Sequence, residues 1–301
     1  MKILILGGTG FIGKKLIEQL SSNHHDILLL TRNKKNISQK LENHRVQLIE
    51  WDGKKIPLIN DQVVDAVINL AGESIASGRW TIERKREILE SRIYATKAII
   101  QAIEDKNILP KILINASAIG FYGTSENEVF TEASSKGNDF LADVSSAWED
   151  EARKAEQYGV RTVVIRIGVV LGKGGALAKM LLPYHFYSGG SIGSGRQWVS
   201  WIHITDLVRI FDFTLNNSTI NGPVNGTAPN PVTMKQFHYI LGKALNKPSW
   251  FNVPEFMLRL ILGEMAEMLT KGQKVIPENL TRNEFEFQYK ELETALRDIV
   301  N

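Results

Sequence analysis

The segment Gly7-Gly8-Thr9-Gly10-Phe11-Ile12-Gly13 follows directly on the apolar run Ile3-Leu4-Ile5-Leu6. Glycines spaced Gly7-x-x-Gly10-x-x-Gly13 suit one task above others, which is holding a diphosphate on main-chain atoms. Gly7 permits a tight turn, Gly10 lets backbone approach the phosphates, and Gly13 lets the following helix pack closely on its strand. Thr9, Phe11 and Ile12 complete the turn, and the helix that starts there offers unpaired N–H groups and a positive dipole end. A strand before the glycines and a helix after them give this motif the meaning of dinucleotide binding.

The end of the second apolar run chooses between dinucleotides. A carboxylate there would accept from a ribose 2′-hydroxyl, whereas a cation suits a 2′-phosphate. The chain reads Leu30-Thr31-Arg32-Asn33-Lys34-Lys35, with no carboxylate, and Arg32 can present a planar fork to a phosphate. NADP is therefore expected in preference to NAD; a solvated basic loop is the plainer alternative. Asp52, just past the third run, either sits near the adenine or caps a turn.

Strand-like apolar runs at 2–6, 26–31, 46–51, 64–70, 111–117 and 162–167 alternate with helical patterns at 10–21, 81–106 and 140–158. Charges such as Glu83 to Arg86 and Glu149 to Lys154 (Lys154, Arg153, Glu151, Asp150) mark the solvent sides of the last two. Apolar strands alternating with helices imply a parallel sheet covered on both faces, a Rossmann-type doubly wound α/β domain. Beyond about residue 170 glycine-rich turns replace crossovers. A helix at 205–215, begun by Asp206 as its N-cap, and a strand at 221–225 return to the sheet, and Thr233 caps a helix at 233–245. The expected division is 1–170 plus 205–225 for NADP binding, and 171–204 plus 226–301 for a smaller, discontinuous, mostly helical substrate lobe.

The composition narrows the function classes. In 301 residues, 43% are apolar and 23% charged, and the net charge is only +3, so neither nucleic acid nor an anionic membrane is an expected partner. With no cysteine there is neither a disulfide framework nor thiolate chemistry. No histidine has a partner at metal-ligand spacing, and no metal is expected. The start of the chain does not read as a signal peptide, and the segment 256–269 is too short to span a bilayer and reads as a buried amphipathic helix. A cytoplasmic protein acting on a small molecule is expected, with a homodimer left open.

Further pieces carry a family resemblance. They are Asn69-Leu70-Ala71-Gly72, Ser91-Arg92-Ile93, Ser117-Ala118-Ile119-Gly120-Phe121-Tyr122-Gly123 and Arg166-Ile167-Gly168-Val169-Val170-Leu171-Gly172. Later ones are the stretch from Gly193 to Ile204 with Asp206, Leu262-Gly263-Glu264-Met265 and Gln273-Lys274-Val275. With the glycine turn they make the chain resemble the extended short-chain dehydrogenase/reductases, the group holding the nucleotide-sugar epimerases. More narrowly it is similar to an atypical "epimerase family" branch with a C-terminal domain of unknown function. The resemblance implies hydride transfer and adds Leu70, Ala71, Gly72 and Arg166 to the cofactor residues.

The wider family uses a serine and a Tyr-x-x-x-Lys, the lysine lowering the tyrosine pKa. Ser117 matches the serine, but Leu141 stands for the tyrosine and Ser145 for the lysine, a position often cysteine in the branch. Arg92 replaces a helix asparagine, Gly168 stands where epimerases holding nucleotide-diphosphate sugars commonly carry asparagine, and Glu284 and Lys290 replace a glycine and a proline.

The catalytic candidates are therefore Ser117, Tyr122 and Arg92. Ser117 would bond a substrate oxygen or merely cap its strand; Tyr122 would supply the missing phenol or merely pack; Arg92 would fix a carboxylate or phosphate or lie solvated. Glu73, Gln197, Trp201 and His203 are expected at the substrate, although a structural histidine reads equally well. The expected function is NADP(H)-dependent oxidoreductase or epimerase-like chemistry on a small carbonyl, polyol or sugar-like molecule. The alternative is an NADP(H)-sensing regulatory protein without turnover.

Overall fold

A computed structural model describes residues 1–34, 45–59 and 63–300; Lys35 of the basic loop lies outside the described residues. Seven strands form one sheet: β1 (Lys2–Leu6), β2 (Asp26–Thr31), β3 (Val46–Glu50), β4 (Ala66–Asn69), β5 (Ile112–Ala118), β6 (Arg161–Ile167) and β7 (Gly222–Gly226). Their order across the sheet is β7-β6-β5-β4-β1-β2-β3, parallel at every pairing. The principal helices are α1 (Phe11–Ser22), α2 (Ile82–Glu104), α3 (Phe140–Arg153), α4 (Gly175–His185), α5 (Ile204–Asn216), α6 (Met234–Ala244) and α7 (Glu255–Leu262). No helix among the described residues is long and apolar enough to cross a membrane.

Because strand side chains alternate, β1 feeds two cores. Ile3 and Ile5 pack with Leu16, Ile17 and Leu20 of α1 and with Leu207, Val208 and Phe211 of α5. Leu4 and Leu6 face the other way, onto Ala95, Ala98 and Ile99 of α2 and Ala152 of α3. Each such side chain contributes roughly 1.5–3 kcal/mol by leaving water, so burial on both faces demands the unbroken apolar runs seen in the strands.

A second, smaller lobe builds on two short pairs, Val169–Leu171 with Trp201–His203 in parallel and Trp198–Val199 with Val232–Thr233 in antiparallel. Trp201, fully buried, centres a core of Leu177 and Tyr184 from α4, Phe237 and Leu241 from α6, and Leu292 and Leu296 from the helix Leu292–Val300. Thr233 caps α6 in a reciprocal capping box with Gln236, as its position predicts.

Several local expectations need correction. His203, not Asp206, caps α5: its Nδ1 accepts from Thr205 N at 3.2 Å. Asp206 lies inside the first turn, where its carboxylate accepts from the backbone N–H of Gln288 (2.9 Å) and Tyr289 (2.8 Å) and from Arg209 (2.8 Å), tying the C-terminal segment to α5. The segment 256–269 is not one buried helix. α7 ends at Gly263, which has φ +63°, and buries no residue; Phe256, Leu260 and Ile261 are 71, 76 and 62% exposed. Its apolar face points outward because nothing described packs across it, which periodicity cannot reveal. Glu149 and Glu151, expected on the solvent side of α3, are buried.

His238 of α6 lies within the second core beside the Tyr184 hydroxyl, 3.0 Å from its Nδ1, and burial pushes its pKa down to about 4. The unfolded chain therefore takes a proton below about pH 6.5 that the folded chain refuses. Stability should fall by roughly 3 kcal/mol between pH 6.5 and 4 on this account, then level off. Urea unfolding across that range should show a shallower pH slope for His238→Asn than for the wild type.

Candidate functional site

Strand order reverses between β1 and β4, and in such sheets ligands bind beyond the carboxyl ends at that reversal. Gly7, at φ +75°, turns the chain there, and a Cβ on it would lie 2.6 Å from the Leu70 carbonyl. The two strand ends are thus in main-chain contact. Gly13 is equally constrained, since its Cβ would meet Gly8 Cα at 2.5 Å. Gly8, passed over in the sequence motif, would drive a side chain into Leu29 and Ile17.

Gly10 differs. A Cβ there would meet Gly7 O at 3.3 Å and, its chain neighbours aside, no other atom of the described residues within 4 Å. Packing demands this glycine less than its neighbours, since only the Gly7 carbonyl is close and the rest of the space around it is open. Gly10 is also the N-cap of α1, which has neither a side-chain cap nor an acidic residue in its first turn. Space without side chains beside uncapped N–H groups fits a diphosphate. Thr9 is exposed on the rim. Phe11 and Ile12 contribute backbone, because the Phe11 ring turns away against Gly172, Gly174 and Gly175 of the second lobe.

Arg32 follows β2 with its side chain 78% exposed, and its Nη2 lies 3.8 Å from Glu73 Oε1. An exposed pair of that length is worth about 0–1 kcal/mol, so Arg32 is readily drawn to a better anion. Glu73 also lies 3.7 Å from Arg84, which makes it a counter-ion between two arginines at the crevice mouth. Asp52 caps a turn: its Oδ1 accepts from Lys54 N at 2.8 Å and Lys55 N at 3.2 Å, and these bonds hold its pKa down.

Arg92 of α2 lies beneath the turn after β4, its Cζ 3.1 Å from where a Cβ on Gly72 would stand. Its guanidinium is 5.1 Å from the Trp148 ring, and Nη1 donates to Ile88 O at 2.8 Å. A buried polar cluster holds this region. Asn69 Nδ2 donates to Thr96 Oγ1 (3.0 Å) and Asn115 Oδ1 (2.7 Å), Trp148 Nε1 donates to Thr96 Oγ1 (3.0 Å), and Asn69 Oδ1 accepts from Ala71 N (3.1 Å).

The end of β5 carries a second network. Ser117 Oγ donates to Glu149 Oε1 at 2.7 Å, and Arg166 donates Nε and Nη2 to the two Glu149 oxygens, each at 2.8 Å. Arg166 Nη1 donates to Tyr122 OH at 2.9 Å, and Tyr122 donates to Asn225 Oδ1 at 2.7 Å. Glu149, Arg166, Ser117 and Tyr122 are all at most 3% exposed. Arg166, expected at the cofactor, is turned to the interior in this structure: each of its three nitrogens donates within the domain, and the Phe121 ring lies 3.5 Å from its guanidinium. The Tyr122 phenol is held between Arg166 and Asn225, and burial pushes its pKa up to about 12, the opposite of what a proton-accepting phenolate needs. Glu149 is the residue that sequence reasoning missed. Its place four residues after Ser145 and three before Ala152 puts it on the buried side of α3.

The expected pocket of Gln197, Trp201 and His203 does not form. Gln197 Nε2 donates to Ile192 O (2.9 Å) and Leu269 O (2.8 Å), and Trp201 Nε1 donates to Asn230 O (3.0 Å). His203 stacks on Tyr289 at 3.9 Å and pairs with Asp298 at 3.3 Å. All three are buried in the second lobe: Trp201 and His203 lie on the strand Trp201–His203 that runs through its core, and Gln197 stands just before the strand Trp198–Val199. The loop 73–81 instead bridges to that lobe, with Lys179 donating to Ala76 O (3.1 Å) and Arg79 to Ile261 O (2.8 Å), and Lys85 at the start of α2 pairs with Glu264.

Residues 3–225 match the NAD dependent epimerase/dehydratase family, and residues 253–299 match a domain of unknown function, DUF1731. The chain belongs to the NAD dependent epimerase/dehydratase family. It is 43% identical to the Bacillus subtilis epimerase family protein YfhF, covering 100% of this chain and 98% of that one. Identity is also 43% to the chloroplastic SDR39U1 homolog of Arabidopsis thaliana, over 100% of this chain and 87% of the other. Among solved structures, human epimerase family protein SDR39U1 with NADPH superimposes at TM-score 0.88 with 33% identity, over 99% of each chain. The UDP-glucose 4-epimerase of Thermotoga maritima, at 16% identity and TM-score 0.77 over 100% of this chain and 97% of that one, shares the fold.

Against that family pattern, Leu141 occupies the place of the tyrosine and packs on Gly120, 3.1 Å from where its Cβ would stand. Ser145 sits one turn on, buried. Gly168 cannot become the epimerase asparagine in this backbone, since its Cβ would lie 2.5 Å from Ser200 O. Because Glu149 neutralises Arg166 in the interior, Glu149→Gln should leave that cation uncompensated and cost roughly 3–5 kcal/mol, read as a lower urea midpoint.

Proposed function

We propose that this chain is an NADP(H)-dependent oxidoreductase or epimerase-like enzyme acting on a small carbonyl, polyol or sugar-like substrate. The observation that carries the reading is the protein-free space at Gly10, bounded by the uncapped start of α1 and flanked by Arg32 where a carboxylate would mark NAD. The presence of NADPH in the human relative supports the same choice.

In this reading the amides after Gly10 hold the diphosphate and Arg32 leaves Glu73 to bond the 2′-phosphate. The bound dinucleotide supplies the hydride donor or acceptor. Gly72 keeps the turn after β4 narrow enough to line the crevice, and the bridges from loop 73–81 to α4 and α7 restrict water. Gly168 removes the asparagine by which epimerases commonly meet a nucleotide-diphosphate sugar, so a smaller substrate is favoured.

A second reading, NADP(H) sensing without turnover, is favoured by one observation. The hydroxyls of Ser117 and Tyr122 are both committed to the network around Glu149, and leucine and serine fill the tyrosine and lysine places.

Purified protein with NADPH and a panel of aldehydes and ketones separates the two. Oxidation of NADPH, or exchange of its C4 hydrogen, supports the enzyme; redox-selective binding that alters assembly without either supports the sensor. Arg32→Glu should weaken NADPH binding by about tenfold or more while changing NADH binding little. Gly10→Val should hold stability within about 1 kcal/mol of wild type yet weaken both dinucleotides by at least about tenfold, by calorimetry. Equal NADPH affinity in all three proteins would sink the site.

A further inference from the structure

A cation drawn out of water is costly unless an anion answers it, and Arg92, half-buried beside Gly72, forms no ion pair among the described residues. No carboxylate lies within 4 Å of its guanidinium among the described residues, and its one hydrogen bond uses a single nitrogen, Nη1 to Ile88 O. The nearest carboxylate acting on it, Glu73, is shared between Arg32 and Arg84. Burial pushes the Arg92 pKa down to about 10, with the charge of Glu73 opposing the fall and that of Arg84 adding to it. The charge of the neighbouring Arg84 is answered by Glu87 and Glu73 and its Nη2 donates to Ser74 O, while its buried Nε has no partner among the described residues.

The position is as informative as the charge. Arg92 presses on Gly72, part of the turn that meets Gly7, so it borders the crevice from below. On its other side stands the Trp148 ring, and the same two helices carry Phe140 and Lys85 nearer the mouth, with Trp80 packed edge-on to Phe140 at 5.3 Å. The site offers one cation without an ion-pair partner among the described residues, set beside the Trp148 ring.

We propose that Arg92 is the anion-binding residue of the substrate site, and that the substrate carries a carboxylate on an apolar body. One unanswered guanidinium matches one negative charge and can take a carboxylate through two parallel N–H donors, whereas a phosphate dianion would call for a second free cation. The assignment rests on the NADP(H)-dependent reading above and narrows its substrate class to small carboxylic acids bearing the reacting carbonyl or hydroxyl.

The test uses the full chain saturated with NADP⁺, with benzoate and its neutral isostere benzamide as probes, read by saturation-transfer NMR and calorimetry. Benzoate should bind about tenfold or more tighter than benzamide. Arg92→Met should erase that preference, Arg92→Lys should restore part of it, and Arg86→Met, which removes an exposed charge on the same helix, should leave it intact. NADPH affinity should stay within about threefold of wild type in every variant.

Equal binding of the two probes, binding of neither, or a preference that survives Arg92→Met overturns the proposal. Phenyl phosphate binding more tightly than benzoate overturns the carboxylate assignment. A loss of NADPH affinity in Arg92→Met as large as the loss of benzoate affinity would hand Arg92 to the cofactor and also overturn it. Should Arg92→Met fail to fold, the wild-type probe comparison and Arg92→Lys still decide. A wild type that binds no NADPH fails at the earlier step, and the parent reading falls first.

Discussion

At the reversal of strand order, the main chains of Gly7 and Leu70 lie so close that a single Cβ would not fit between them. That contact is what makes a crevice of two adjacent strand ends. It brings the turn after β1 and the turn after β4 to the same place, and it leaves the first turn of α1 facing outward with its amides unmatched by side chains. Gly72 repeats the device one layer down, where the absent side chain admits the guanidinium of Arg92. Within this turn Gly7, Gly8 and Gly13 leave no room for a side chain, each Cβ position lying under 3 Å from another atom. Gly10 is less crowded and borders open space.

The carboxyl ends of β5 and β6 are held by electrostatics rather than by close main-chain approach. Glu149 and Arg166 sit in the interior as a bidentate pair, and Ser117, Tyr122 and Asn225 extend the pair across β5, β6 and β7. Such a network is strong only when complete, because any member left alone is a buried polar group without water. It explains why the hydroxyls best placed by sequence for proton transfer are instead occupied. The polar groups near the crevice that remain less committed lie on the other wall, at Arg32 and Arg92.

The second lobe reaches the sheet through small, specific contacts. Phe11, the first residue of α1, lies against Gly172, Gly174 and Gly175, and Asp206 of α5 holds the backbone of Gln288 and Tyr289. A little before them, Glu284 adopts φ +57°, the left-handed region, at the place where the resembling branch favours glycine. The substitution accepts a conformational cost of the order of 1 kcal/mol that glycine would avoid, and Phe285 beside it still reaches the core.

Much was legible in the chain alone. The glycine spacing, the alternation of strands and helices, the cap at Thr233 and the absence of a carboxylate after β2 are set by neighbours in sequence and by repeating geometry, so local rules recover them. Those rules also led to errors. Gln197, Trp201 and His203 look like a pocket because aromatic and polar types cluster, yet a buried segment needs the same types to satisfy backbone carbonyls and distant side chains. α7 looks like a core helix because it is apolar, yet apolarity says nothing of whether another element arrives to cover it. Only the tertiary structure decided which charges are interior. Glu149 becomes a buried anion because Arg166, 17 residues on, and Ser117, 32 residues before, are delivered to it by separate strands. Arg92 forms no ion pair because, among the described residues, no carboxylate is delivered within 4 Å of it, and the worth of a charge depends on such distant arrivals.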